Sequence, residues 1–136
     1  MAEPSRDAQE AALTLELYQR QLDAVSRQID FLQGVRDEIV RARRTLEGLS
    51  DAADHEVLMP MGASTFVQGK VDANAPIIVG IGAGYATERT REEAIAVLEE
   101  RAKQAESELE AMMQTGVQLQ QEAARLTEGL EGEGED

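Results

Sequence analysis

Two long stretches of this chain repeat apolar residues at heptad spacing, and that pattern limits the possible folds more than any other feature. From about residue 8 to 50 the stretch has no Pro and only two Gly, Gly34 and Gly48. Apolar or small residues recur at Ala11, Leu15, Tyr18, Leu22, Val25, Ile29 and Leu32, spaced alternately four and three apart. The series slips to Val35 and resumes at Ile39, Ala42, Leu46 and Leu49, which reads as one three-residue stammer beside Gly34. About 43 helical residues make a rod of roughly 65 Å. A second seam runs without a break through Ile95, Leu98, Ala102, Ala105, Leu109, Met112, Gly116, Leu119, Ala123, Leu126 and Leu130. Thr90 followed by Glu93 is the capping-box signature that opens this second helix, expected over 90–130.

One such seam alone fits a long amphipathic helix lying on a globular core. Here the core is missing: aromatics are 3% of the chain, namely Tyr18, Phe31, Phe66 and Tyr85, and there is no Trp. Two seams with so little else to cover them should pack on each other as an antiparallel coiled-coil hairpin. In an antiparallel pair the facing residue numbers have a nearly constant sum. A sum of 140–141 sets Ile39 on Ala102, Ala42 on Leu98, Val35 on Ala105, Val25 on Gly116 and Tyr18 on Ala123. Large then faces small repeatedly, as close packing requires. A register one layer away, with a sum near 144, sets Ala42 on Ala102 and leaves a void.

Between the seams, over about 55–88, the period changes. Val57, Met59 and Met61 alternate with Glu56, Leu58 and Pro60, and residues 65–71 read as a strand. The loop 72–76 is turn-rich, 77–81 is an apolar strand, and 85–87 is a short fourth one. The fold class is therefore mainly α: a long antiparallel coiled-coil hairpin carrying two inserted β-hairpins. An isolated hairpin is marginal in water, and these strands are apolar on more than one face. Val57, Met59, Phe66, Val67, Ile77, Val79 and Ile81 are the candidate assembly residues, expected to be buried between subunits.

Charge excludes several partners. Thirteen Lys and Arg stand against twenty-seven Asp and Glu, a net charge of −14. Such a chain is repelled by nucleic acid and by anionic membrane surfaces. Only Lys70 and Lys103 are lysines, and acid excess with scarce Lys is what adaptation to a high-salt cytoplasm produces. No apolar run is long enough to span a membrane, and the acidic first thirty residues read as no secretory signal, so a cytoplasmic location is expected. The stretch 127–136 has five acids and three Gly and reads as a disordered acidic tail on a single-domain chain.

Catalytic equipment is hard to find. With no Cys there is no thiol chemistry and no zinc finger. Gly80, Gly82 and Gly84 follow a strand as in a dinucleotide fingerprint, but the third Gly of that motif would fall at Tyr85, and no helix opens there. His55 is the only His and has no second His or Cys to complete a metal site. The expectation is a non-enzyme with neither cofactor nor metal. Leu13, Leu17, Met113 and Val117 stand out instead: they lie off the seams, as two i,i+4 pairs that form exposed apolar strips.

The run Val57-Leu58-Met59-Pro60-Met61-Gly62, followed by Val79-Gly80-Ile81-Gly82-Ala83-Gly84-Tyr85, between two coiled-coil helices, resembles the α-type subunit of archaeal prefoldin. The resemblance covers about residues 10–127. It implies an ATP-independent chaperone of two α-type and four β-type subunits, whose hairpins join into a double β-barrel base. It implies that Val57 to Thr87 belong to that base, and that coiled-coil tips hold non-native proteins and pass them to a group II chaperonin. Leu13, Leu17, Met113 and Val117 then become candidate client contacts. The alternative from the residues alone is a structural coiled-coil adaptor with one fixed partner.

Overall fold

In the computed structural model the described residues are 5–49, 56–72 and 74–134. The order of elements is α1 (Arg6–Leu49), β1 (Glu56–Gly62), β2 (Thr65–Lys70), β3 (Ile77–Gly82), β4 (Tyr85–Arg89) and α2 (Arg91–Gly134). Both helices begin on side-chain caps. Ser5 Oγ accepts the Ala8 N–H at 3.1 Å. Thr90 Oγ1 accepts the Glu93 N–H at 3.1 Å, and the Thr90 carbonyl takes the Ala94 N–H at 2.9 Å. Each cap satisfies donors that have no partner within the helix.

The chain divides into two compact units. The first joins Met1–Val35 to Ala105–Asp136. Here α1 and α2 lie antiparallel: Ala8 and Ala11 share a groove with Leu126, Gly129 and Leu130, whereas Gln28 and Leu32 share one with Glu108 and Met112. Leu32, Ala105 and Leu109 are buried. A Cβ placed on Gly116 would lie 3.5 Å from Val25 Cγ1, so Val25 already fills the space over the glycine. This is the layer that the 140–141 register anticipates.

Two sequence readings of the helices are corrected here. The tail is not disordered from Thr127, because α2 continues as helix to Gly134. The cause is the seam itself: Leu126 and Leu130 are half-buried beside Ala8 and Ala11, and that burial holds the last turns despite Gly129 and Gly132. The second correction concerns the stammer. Beyond Leu32, Val35, Ile39, Leu46 and Leu49 are half-buried as that series expects, but Ala42 is exposed, and Arg36 and Arg43 are half-buried as well. Counting only apolar residues hid this, since an Arg stem covers apolar surface while its head reaches water.

The second unit is Arg36–Gln104. It contains Arg43, whose Nη1 lies 4.0 Å from Glu99 Oε1 and whose Nε lies 3.5 Å from Glu47 Oε1. It also contains two separate two-stranded antiparallel sheets, β1–β2 and β3–β4. Each hairpin closes on two residues with positive φ, Ala63 (49°) with Ser64 (61°) and Ala83 (53°) with Gly84 (80°). That is the type I′ geometry, whose twist matches that of the strands. Each also carries an irregularity at the same offset, between Pro60 and Gly62 and between Gly80 and Gly82. The two hairpins are thus structural copies, with Met61 and Ile81 as the extra, unpaired residues. Arg101 Nη2 donates to the Gly80 carbonyl at 2.6 Å, which ties the second hairpin to α2 at its irregular point.

Candidate protein-interaction surfaces

The strands present two kinds of face. On one face of β1–β2, Val57 pairs with Gly69 and Met59 with Val67. Met59 lies directly over Gly69, where a Cβ would meet its methyl group at 2.6 Å, so the missing side chain makes its room. Val57 and Met59 are half-buried. The opposite face carries Leu58 and Phe66, both exposed. On β3–β4 the pair Val79 and Thr87 faces inward with Ile77, and Val79 is only 8% exposed. Ile78 points away, and Ile78, Ile81 and Tyr85 are all exposed, Tyr85 at 72%.

The expected assembly residues therefore divide. Phe66, Val67 and Ile81 are open on the chain. Val57, Met59 and Ile77 are partly covered by their own chain. Val79 is already buried within its own chain, where it belongs to the core. Sequence reasoning passed over Leu58, Met61, Ile78 and Tyr85, which are exposed and apolar. The signal was present, because strand side chains alternate. If Val79 is inside, Ile78 is outside, whereas Met61 and Ile81 sit at the irregular points where the alternation is interrupted.

The first unit has its own exposed apolar residues. Leu13, Leu17, Met113 and Val117 are all exposed, from 63% at Leu13 to 44% at Met113. Leu13 and Leu17 line a shallow groove with Glu16 and Arg20, which form an ion pair at 2.9 Å across one helical turn. Phe31, also missed, is 65% exposed on α1.

Gly82-Ala83-Gly84 forms a hairpin turn and leads straight into β4, so it opens no helix toward a phosphate. His55 lies outside the described residues. Among the described residues no three acidic or His side chains are grouped to hold a metal ion, and no helix is long and apolar enough to cross a membrane. Among the described residues two carboxyl groups are held below the usual carboxylate range, both in the first turn of α2. Glu93 is lowered first by the Thr90 hydroxyl, then by the Thr90 backbone N–H, which completes the capping box. Glu92 is lowered by its own backbone N–H and by Arg91. Both shifts belong to helix capping rather than to catalysis.

Comparison with known proteins agrees with this picture. Residues 18–135 match the family model described as "Prefoldin subunit". The chain is 34% identical over 105 residues to prefoldin subunit alpha 1 of Thermococcus kodakarensis, covering 76% of this chain and 72% of that one. It is 30% identical over 126 residues to prefoldin subunit alpha of Methanoculleus marisnigri, covering 93% and 85%. A subunit in the cryo-EM structure of filamentous PFD from Methanocaldococcus jannaschii has a like fold. Its TM-score is 0.74 at 22% identity, over 89% of this chain and 98% of that chain.

Proposed function

This chain belongs to the prefoldin family, in its α-type branch, and on that premise we propose that it serves as an ATP-independent holding subunit of a cytoplasmic chaperone. Non-native proteins are held by burial of apolar surface on Leu13, Leu17, Met113 and Val117. The outward strand residues join this chain to β-type prefoldin subunits, two α with four β, in a shared barrel base. Clients are then handed to a group II chaperonin.

The observation that carries the reading is that the apolar side chains left open fall into two sets with different surroundings. One set lies on strands whose sheets stop at two members and cannot bury both faces. The other lies on helices whose seams are already filled, so its exposure is not needed for folding. A filled helix with spare apolar residues outside the seam is suited to reversible contact. Each side chain can contribute about 1.5–3 kcal/mol when fully covered, so a single strip holds weakly. Several strips acting together gain by avidity.

The test is replacement of Leu13, Leu17, Met113 and Val117 by Ser in the assembled protein. Helix content and oligomer mass stay as in the parent, and suppression of aggregation of an unfolded test protein is lost. Undiminished suppression contradicts the assignment of the grip to these residues.

A further inference from the structure

The outward face of α1 extends well beyond Leu13 and Leu17. Leu13 and Phe31 are eighteen residues apart, about five full turns, so both lie on one line along the helix. Leu17 and Ala24 fall within about 40° of that line, and all four are exposed. The apolar line is about 27 Å long. Beside it, at seven-residue intervals, stand Glu16, Asp23 and Asp30, also exposed. Arg20 and Arg27 lie between the two rows, and Arg20 is paired with Glu16 at 2.9 Å. Among the described residues Asp23 and Asp30 take part in no ion pair. The face thus carries three carboxylates against two guanidinium groups, on a chain of net charge −14.

We infer that this face selects non-native segments that are both apolar and basic, and that Phe31 is the inner end of the contact. The inference rests on the holding function proposed above and adds the class of client. The line accommodates about eighteen helical residues or about eight extended ones. Apolar side chains of the client cover Leu13, Leu17, Ala24 and Phe31, while its Lys or Arg side chains meet Asp23 and Asp30. The negative field of the whole chain draws such segments in and turns acidic ones away. At −14 this discrimination acts before contact, and salt weakens it.

The experiment measures fluorescence anisotropy of labelled synthetic peptides on the full-length, assembled protein. Two peptides share the same Leu and Phe positions, with Lys between them in one and Glu in the other. A third peptide, with Gln between them, reports on apolar holding alone. At 0.1 M KCl the Lys peptide binds about tenfold tighter than the Glu peptide or better, and the advantage shrinks several-fold at 1 M, where the Debye length falls to about 3 Å. Phe31→Ser weakens the Lys peptide by about tenfold with helix content unchanged. The double variant Asp23→Asn, Asp30→Asn reduces the Lys peptide's advantage at low salt and leaves the Gln peptide alone. Equal binding of the Lys and Glu peptides at 0.1 M KCl, or a Phe31→Ser protein that binds the Lys peptide like the parent, overturns the inference. Binding of the Gln peptide in that case leaves the holding function standing, whereas loss of all three removes both.

Discussion

The helices and the strands use apolar residues in opposite ways. Along α2 each of the eleven seam positions is buried or half-buried, and the residues between them are mostly exposed. Along the strands Leu58, Met61, Phe66, Val67, Ile78, Ile81 and Tyr85 are open to solvent, while among the strand residues only Val79 is buried. A seam is complete once its partner helix is in place, and that partner is in the same chain. A two-stranded sheet has two faces and two open edges, and one chain covers at most one face. Burial therefore marks what the chain does alone, and apolar exposure marks what it does with others.

The largest effect is expected at Val79. A carboxylate in its place is buried without a partner and costs on the order of 3 kcal/mol or more. Val79→Asp is expected to lower the stability of the isolated chain, seen as an earlier unfolding midpoint in denaturant. An unchanged midpoint shows that Val79 is not part of the chain's own core. Gly116 tests the seam. Gly116→Leu overfills the layer with Val25 and is expected to destabilise by about 1–3 kcal/mol. Gly116→Ala puts its Cβ in ordinary contact with Val25 and gains about 0.5–1 kcal/mol of helix propensity. Opposite shifts in melting temperature for the two variants support the layer, and shifts of one sign refute it.

The smallest effect is expected at the cap of α2. The folded-state pKa of Glu93 lies below its ordinary 4.5. Its contribution is therefore present above pH 4.5 and is lost as pH falls through the lower, folded value. Gln keeps the capping geometry without the titration. The melting temperature of the parent should drop faster than that of Glu93→Gln as pH is lowered from 4.5, and parallel curves would show that the cap does not titrate with folding.

How much of this was legible in the sequence follows from the same contrast. The α2 seam was readable throughout because each of its eleven seam positions is apolar or small. The α1 seam was readable to Leu32 and less completely beyond it, because Arg36 and Arg43 are covered alongside Val35 and Ile39 while Ala42 is exposed. Four strands were visible from apolar alternation, and the Gly80–Gly84 run marked a tight turn, but Ala63-Ser64 lacks the Asn-Gly signature of such hairpins. The face each strand turns inward was also hidden. In β3, Ile77, Ile78, Val79 and Ile81 are chemically alike, and only the fold decides that Val79 is inside and Ile78 is out. Leu13, Leu17, Met113 and Val117 were identifiable because the seams define which positions are outward. Phe31 obeys the same rule, but it stands apart from the i,i+4 pairs that drew attention to the others.

The central claim is that the outward strand face exists to be covered by other subunits and the chain's own core does not depend on it. Native mass spectrometry of the chain co-expressed with a β-type subunit tests this directly, comparing the parent with Ile78→Asp. Ile78 is exposed beside the buried Val79, so the substitution leaves the isolated chain's unfolding midpoint close to that of the parent. The high-mass assembly of the parent is expected to be replaced by free subunits in the variant, with helix content intact. An assembly of unchanged mass in Ile78→Asp would contradict it.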